Sequence, residues 1–274
     1  MIRVWGMAVP PSPSVFSGME RTIYSLKAAS PVVYSYGSLS ELRFELAFRG
    51  RTIEAARALY ASGVRFATYS NTRGNEAYWI VTPRGGLQLR TDVSPSAAIR
   101  DIFANGLMYA FECAAAMVVV LYRAALDMIG ERKFDTYFRN LLLWDWNYDS
   151  DLWLITLNTR GEAYPGDIVY FKNPDVSDKT PWWQGENAVK LDADEYYGHG
   201  IGIRSAEDII AVLNKYRKPG SVRSAYLLDQ TTHPDYKYLY RLATGREDDG
   251  SSYAEQFADR FVVAKVGTST YVRV

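Results

Sequence analysis

The first half of the chain has the spacing of apolar residues that is typical of helices. Ser38 followed by Glu41 is a capping box that opens the first helical pattern. The predicted helices span residues 38–62, 95–105, 111–129 and 133–140. The third of these is apolar on most of its surface, so we expect it to be the central buried helix of the domain.

After residue 140 the pattern changes to that of strands. The predicted strands are 142–146, 152–157, 167–172, 186–191 and 198–203. A helix over 205–216 and a last helical stretch from about 219 to 242 are expected after them. Two earlier apolar runs, 65–69 and 77–82, predict a β-hairpin with a long loop. Helices first and strands later indicate an α+β fold and not alternating β-α-β units.

Both ends of the chain are less regular than its middle. Residues 1–37 are rich in proline and serine, and we expect an irregular N-terminal segment over 1–30. Residues 244–274 open with a polar run and contain one short apolar run, which predicts an appended, loosely attached tail. Residues 31–243 show no internal repeat and no convincing linker, so they are expected to form one domain.

Composition excludes several classes of partner. The 31 Lys and Arg residues balance 31 Asp and Glu residues, and the sequence pI is about 6.8. No global field therefore indicates binding to nucleic acid or to a membrane surface. The longest apolar stretch, 113–122, is too short to span a bilayer. The first residues lack a basic segment followed by an apolar one, so no signal peptide is expected and the protein is predicted to be made inside the cell.

Cys113 is the single cysteine of the 274 residues, which excludes an internal disulfide. It lies where the polar turn Asn105-Gly106 gives way to the apolar helix. In the first turn of a helix, unpaired N–H groups and the helix dipole favour a negative charge, so a lowered thiol pKa and a nucleophile are expected. The alternative is a small buried hydrophobic residue.

Two further titratable groups stand in unusual surroundings. On the predicted strand 198–203, His199 shares one face with two isoleucines, and three glycines on the other face allow another element to approach. It is either a working imidazole or a structural histidine with a defined partner. Glu186 directly follows an aromatic segment, where a raised pKa would suit acid–base work. Its alternative is a solvent-facing charge on a strand.

Other kinds of site do not fit this sequence. One cysteine and two distant histidines cannot form a tetrahedral zinc site, and the acidic run 192–195 has Tyr197 where a calcium loop needs glycine. The sequence contains no phosphate-binding glycine loop, no Rossmann fingerprint and no Gly-x-Ser-x-Gly motif. We therefore expect no metal and no cofactor. Cys113, Glu186 and His199 remain, and together they suit thiol-based acyl transfer.

Sequence blocks add a resemblance to known families. Gly166-Asp-Ile-Val-Tyr-Phe171 followed by Gly198-His-Gly-Ile-Gly-Ile203, downstream of a cysteine at a helix start, resembles the papain-like NlpC/P60 core. A set of blocks over about 31–243 is similar to the small transglutaminase family of Bacillus and related spore formers. These blocks are Ser94–Asp101, Tyr109–Ala115, Asp167–Pro174, Trp183–Asn187, His199–Gly202 and Ser224–Leu228.

The resemblance implies an α+β, single-domain papain-like (NlpC/P60-like) cysteine transferase, with a central buried helix packed on an antiparallel sheet, over residues 31–243. It implies a calcium-independent protein-glutamine γ-glutamyltransferase that joins glutamine and lysine side chains of spore coat proteins. Such an enzyme would be made in the mother cell and assembled on the coat. The resemblance assigns the nucleophile to Cys113, the essential carboxylate to Glu186 and the histidine to His199, with Glu112 assisting.

The aromatic residues take on a role under this interpretation. The chain has 21 Tyr, 11 Phe and 7 Trp, which either fill the core or line a channel that holds water back from a thioester. We expect Trp183, Trp146 and Phe66 to be walls of that channel. Two alternatives to the transferase stay open at this point. One is an NlpC/P60-like cysteine peptidase or amidase, and the other is an inactive coat protein whose Cys113 is inert.

Overall fold

The apolar run after Cys113 forms the central helix, as predicted. The computed structural model describes residues 1–158, 162–245, 262–266 and 269–273. Within them the helices are α1 Gly18–Ala29, α2 Leu39–Ala61, α3 Pro95–Ala104, α4 Cys113–Ile129, α5 Glu131–Tyr137, α6 Ala206–Asn214 and α7 Tyr236–Thr244. Helix α4 is buried along nearly its whole length and packs against α2. It ends at Gly130, whose φ of 84° suits glycine.

Fifteen strands lie in the described part of the chain. They are β1 Ile2–Val4, β2 Tyr34–Tyr36, β3 Arg65–Phe66, β4 Trp79–Val81, β5 Leu87–Leu89, β6 Ala110–Phe111, β7 Leu142–Leu143, β8 Leu154–Asn158, β9 Ile168–Lys172, β10 Gly185–Asp192, β11 Glu195–Gly198, β12 Gly202–Arg204, β13 Tyr226–Pro234, β14 Val262–Val266 and β15 Ser269–Arg273. The main sheet has the order β12-β11-β10-β9-β13-β8, and all its neighbours are antiparallel.

Strand β10 shows how the layers of the domain fit together. Val189 and Leu191 belong to the same apolar core as α4, whereas Ala188 points to the opposite face, where α6 contributes Ile209 and Leu213. The sheet is therefore covered by helices on both faces. The expected α+β class, with a buried helix packed on an antiparallel sheet, is confirmed. None of the helices within the described ranges is both long enough and apolar enough to cross a membrane.

The N-terminal region is folded, so the prediction of an irregular segment is wrong. Strand β1 pairs in parallel with β2, and α1 packs beside α2. Ile2, Ile23 and Leu42 belong to a second apolar cluster in this region. Helix α1 has a weak apolar pattern because it buries only three of its twelve residues, and its N-cap, Ser17, makes no capping bond with its side chain.

Buried charges tie this region to the rest of the domain. Lys27 of α1 pairs with Glu45 of α2, which also accepts a 2.9 Å hydrogen bond from Arg49. Arg49 in turn donates to Asp167, just before β9, at 2.7 Å. The two cations hold the pKa of the Glu45 carboxyl well below its usual range, against the effect of burial. These ion pairs join α1, α2 and the segment before β9, and none of the three could bury its charged side chains without the others.

The predicted hairpin of 65–69 with 77–82 is also wrong. Strand β3 pairs in parallel with β6, so that Phe66 lies opposite Phe111, and β4 pairs with β5. The partner of β3 lies more than 40 residues away in the chain, and each of the two strands has only two residues. Local alternation of apolar and polar residues carries no information about such a pairing.

Two differences affect the second half of the chain. The predicted strand 198–203 is a hairpin in which β11 ends at Gly198 and β12 begins at Gly202, so His199 lies in the turn. The helical stretch expected over 219–242 is instead the strand β13, which lies between β9 and β8, followed by the short α7. Within residues 244–274, which were predicted to form a loosely attached tail, β14 pairs with β15. Most of the other residues in this range lie outside the described ones. The division of the chain at residues 30 and 243 stays a prediction.

Candidate active site

Cys113 is the first residue of α4, and its sulfur accepts a hydrogen bond from Nδ2 of Asn187 at 3.6 Å. The expected lowering of the thiol pKa is wrong for this structure. Burial raises the pKa of Cys113 well above its usual value, and the charges of Glu186 and Glu112 raise it further. The Asn187 N–H groups act in the opposite direction. The sulfur therefore lies in surroundings that oppose its ionisation, except on the side of Asn187.

The residue before the cysteine explains why the helix start does not activate it. Glu112 is the N-cap of α4, and its two carboxylate oxygens accept hydrogen bonds from the N–H groups of Ala114 at 2.6 Å and Ala115 at 2.7 Å. These are two of the amides that were expected to favour a thiolate. Burial raises the pKa of Glu112 to about 7. The first assignable role of Glu112 is thus to cap the helix that carries the cysteine.

Glu186 is 1% exposed, so the alternative of a solvent-facing charge is wrong. Oε1 accepts a hydrogen bond from the N–H of Gly200 at 3.2 Å, and the backbone N–H of His199 also favours the charged form. Burial outweighs both donors and raises the pKa of Glu186 to about 8. A carboxyl group with that pKa is divided between its two forms near neutral pH, which is the property required of a proton shuttle.

Glycines of the β11–β12 hairpin make room for this carboxyl group. A Cβ atom on Gly198 would lie 2.8 Å from Cγ of Glu186, which is closer than real side chains approach. A Cβ on Gly200 would lie 3.6 Å from Oε2, which is an ordinary contact. The sequence predicted that another element approaches these glycines closely. The structure shows that this element is β10, through the side chain of Glu186.

The imidazole of His199 is engaged away from both Cys113 and Glu186. Nε2 lies 3.2 Å from the carbonyl oxygen of Arg65, and Nδ1 lies 3.0 Å from the hydroxyl of Tyr197. A carbonyl only accepts, so Nε2 carries the hydrogen and Nδ1 accepts from the tyrosine. Burial lowers the pKa of His199 to about 4, which keeps the ring neutral. The ring anchors the turn, and the connection to Glu186 runs through backbone N–H groups.

Two of the three predicted channel residues lie together. Trp183 stacks between Tyr216, with ring centroids 4.4 Å apart, and Phe66, at 6.0 Å. Phe66 also borders Gly200, where a Cβ would lie 3.4 Å from its ring. Trp146 is half-buried against the main apolar core. The place of all three residues in a channel wall stays a prediction.

Three residues near the sulfur were not predicted. Asn187 directly follows Glu186 at the start of strand β10, and that polar pair was the available sign. Tyr170 lies opposite Asn187 on β9; its pKa is raised by burial and then by the charges of Cys113 and Glu186. Tyr69 has its pKa raised by burial and by charges that include Glu112 and Cys113. Nothing distinguishes these two among 21 tyrosines.

The described residues contain no group of three or more His, Cys, Asp or Glu side chains that could hold a metal ion. The site instead consists of a half-buried thiol, a buried carboxyl group that titrates near neutral pH and an amide donor. This set of groups suits the formation and breakdown of an acyl-thioester.

Comparison with known proteins decides the family. A family model described as protein-glutamine gamma-glutamyltransferase matches residues 1–243. The chain belongs to this transglutaminase family. It is 46% identical over 227 residues to the protein-glutamine gamma-glutamyltransferase of Bacillus licheniformis, covering 82% of this chain and 91% of the relative. It is 41% identical over 257 residues to that of Bacillus mycoides, covering 94% and 93%.

A solved structure supports the same conclusion. The transglutaminase from Geobacillus stearothermophilus, without its C-terminal extension, is 45% identical and superposes with a TM-score of 0.72. The similarity covers 77% of this chain and all of that one. The expected transglutaminase resemblance is confirmed, and the chain is an acyltransferase. Membership of this family favours the transferase over an NlpC/P60-like peptidase or amidase.

Proposed function

We propose that this transglutaminase works through a γ-glutamyl thioester on Cys113. The sulfur attacks the carboxamide carbon of a glutamine side chain, the C–N bond breaks and ammonia leaves. The amine of a lysine side chain then attacks the thioester carbonyl, the C–S bond breaks and an isopeptide bond forms. The observation that supports this route best is Glu186, a fully buried carboxyl group whose charge acts directly on the thiol.

Glu186 moves the protons in both stages. In the first stage it takes the thiol proton and passes it to the departing nitrogen, so that ammonia and not an amide anion leaves. In the second stage it takes a proton from the attacking amine and returns one to the sulfur. With a pKa near 8 it is both a competent base and a competent acid at neutral pH.

His199 and Glu112 act by holding these groups in place. The neutral imidazole fixes the hairpin turn, from which the N–H groups of residues 199 and 200 reach Glu186. Glu112 caps α4 and so fixes the start of the helix at Cys113. Neither side chain needs to exchange a proton with substrate in this scheme. The expectation that His199 orients the carboxylate is retained, and the sharing of a proton is not needed.

Water must be kept from the thioester because its hydrolysis would yield only a deamidated glutamine. The stack of Phe66 and Trp183 lies beside the hairpin that holds Glu186 and supplies an apolar wall there. We propose that acyl donor and amine reach the sulfur past such aromatic walls. Tyr69 and Tyr170 lie near enough to the thiol for its charge to raise their pKa values, in addition to the effect of burial.

The proposed substrates are proteins of the spore coat that carry reactive glutamine and lysine side chains. The similar enzymes named above come from Bacillus and Geobacillus, which form spores, and the balanced charge of this chain does not direct it to a nucleic acid. Synthesis in the mother cell followed by assembly on the coat is part of this proposal. Assembly inside the mother cell would also account for a cross-link that is not a disulfide, because disulfides persist only in oxidising surroundings.

The test is incorporation of a fluorescent amine into a glutamine-bearing protein. Cys113→Ala and Glu186→Gln are both expected to lose activity by on the order of 10³-fold or more, because residues that act as a unit fail together. Their circular dichroism melts serve as folding controls. Substantial activity in folded Cys113→Ala would remove the nucleophile from the scheme. Cross-linking of isolated coat proteins, compared with an unrelated glutamine-rich protein, tests the substrate class.

A further inference from the structure

The proposed chemistry needs a thiolate in a place that disfavours one. Cys113 is half-buried, and two carboxyl groups act on its sulfur with the same sign of charge that it would acquire. Glu112 occupies the N–H groups of Ala114 and Ala115 at the helix start. The imidazole of His199 has partners for both of its nitrogens, so it is not the cation that pairs with the thiolate of a Cys–His enzyme. Some other group must stabilise the charge on sulfur.

We propose that Asn187 is a catalytic residue that stabilises the Cys113 thiolate by donating hydrogen bonds to its sulfur. The side-chain Nδ2 lies 3.6 Å from Sγ, within reach of an N–H···S bond. Asn187 is 8% exposed, so water competes little for this donor. A hydrogen bond to an ionised acceptor is stronger than a neutral one, and it gains further strength where the local dielectric is low. This inference rests on the proposed role of Cys113 as the nucleophile.

The sheet fixes the donor in this position. Asn187 lies in the middle of the pairing between β10 and β9, opposite Tyr170, and β10 is also paired with β11. One strand therefore presents the proton shuttle and the thiolate donor at consecutive positions, 186 and 187. Consecutive side chains leave a strand in different directions, so Glu186 and Asn187 do not compete for the same space.

The chemistry also explains why an uncharged donor suits this position. A lysine or arginine near the sulfur would stabilise a thiolate, but it would also attract the carboxylate of Glu186 and lower its pKa below the useful range. An amide donates to sulfur and carries no net charge. Tyr170 is a less suitable donor because its hydroxyl lies 3.5 Å from the carbonyl oxygen of Gln184.

The test measures how the rate of Cys113 alkylation by iodoacetamide depends on pH, because the thiolate is the reacting form. Loss of a hydrogen bond to a charged group changes an ionisation equilibrium on the order of 10- to 100-fold. Asn187→Ala is therefore expected to raise the midpoint of alkylation by about one to two pH units. Asn187→Asp, which has nearly the same shape, is expected to raise it more because it replaces the donor by another carboxylate. In both variants kcat should fall while KM changes little, since the thiolate is needed in the chemical step.

Asn214→Asp is the matched control. It adds the same charge at a half-buried amide that hydrogen bonds to Ser224, and its midpoint should equal that of the wild type. Folded Asn187→Ala with a wild-type midpoint would overturn the inference, even if its activity were low. Should Asn187→Ala fail to fold, the same result in Asn187→Asp would overturn it. If the proposed function is wrong instead, Cys113→Ala remains active in amine incorporation. The alkylation midpoints of the Asn187 variants do not depend on that outcome, so the two failures can be distinguished.

Discussion

Replacing Gly198 by alanine tests directly whether the position of Glu186 controls the reaction. A Cβ at residue 198 would lie 2.8 Å from Cγ, 2.9 Å from Oε1 and 3.2 Å from Cδ of Glu186. Ordinary contact begins at 3.4 Å, so Cγ must move by about 0.6 Å. The carboxyl group is buried and cannot swing into solvent to relieve the contact. The backbone of Gly198 does not have a positive φ, so the effect is steric and not conformational.

The expected cost can be stated for both activity and stability. Misplacement of a reacting group by about 1 Å can reduce the rate on the order of 100-fold, so a shift of about 0.6 Å is expected to lower kcat by on the order of 10- to 100-fold. Overpacking of a buried position costs about 1–3 kcal/mol of unfolding free energy. The assay is amine incorporation at saturating acyl donor, together with a thermal melt of the same preparation.

Gly200→Ala is the matched control on the same hairpin. Its Cβ would lie 3.4 Å from the Phe66 ring and 3.6 Å from Oε2 of Glu186, and the N–H that donates to Oε1 is retained. We expect it to keep most of the wild-type kcat. If Gly198→Ala were as active as Gly200→Ala, the precise placement of Glu186 would not matter to the reaction, and its role as the proton shuttle would be refuted.

Four further predictions follow from the buried groups. Glu186→Gln should raise the melting temperature, and the increase should grow between about pH 4.5 and 8. The folded wild type binds the carboxyl proton more tightly than the unfolded chain does, so the wild type loses stability as pH rises through that window. Equal melting temperatures of the two proteins at all pH values would contradict this. His199→Ala should lower kcat by on the order of 10- to 100-fold through misplacement of the turn, without removing a limb of the pH–rate profile above pH 5, since the ring is neutral there. Glu45→Ala should cost about 3–5 kcal/mol in urea unfolding because it leaves Lys27 and Arg49 buried without this partner; a cost below about 1 kcal/mol would refute the network's structural role. Activity should survive a strong calcium chelator, since the described residues offer no cluster of metal ligands; loss restored by calcium would contradict it.

The elements that could be predicted are those whose information is local. The predicted cap at Ser38 is present, with the hydroxyl accepting from the N–H of Glu41 at 3.1 Å, while the Glu41 carboxylate accepts from the N–H of Gly37. The long apolar run gave α4, and apolar residues flanked by turns gave β9 and β10 within a few residues of their ends. Each of these depends on the spacing of residues close together in the chain, which periodicity reports.

Elements defined by distant partners could not be predicted in the same way. Strand β13 contains the polar run Asp229-Gln-Thr-Thr232 and is a strand because β9 and β8 flank it. Strands β3 and β6 have two residues each and exist through one parallel pairing. In each case tertiary pairing determines the local structure, and the intrinsic preference of the segment contributes little.

The sequence predicted which residues form the candidate site better than it predicted the directions of their pKa shifts. The raised pKa that was expected for Glu186 is present, and its main cause is burial. The helix start at Cys113 indicated a lowered thiol pKa, and this was wrong because the carboxylate of Glu112 accepts the N–H groups on which the argument depended. The sequence shows that an acidic residue precedes the cysteine, but not that its side chain folds back onto the helix.

Three acidic groups share this buried site, and their ionisation is coupled. The charge of Glu186 acts on Cys113, that of Glu112 acts on both, and burial raises the pKa of all three. Each deprotonation therefore makes the next one harder, and the apparent pKa values of the pH–rate profile belong to the group and not to one residue. A proton that leaves the thiol is most easily retained within the group, on Glu186, because its release to solvent would leave an additional buried negative charge. The same transfer leaves the acid that the departing ammonia needs, so the burial that opposes a free thiolate also keeps the catalytic proton where the next step uses it.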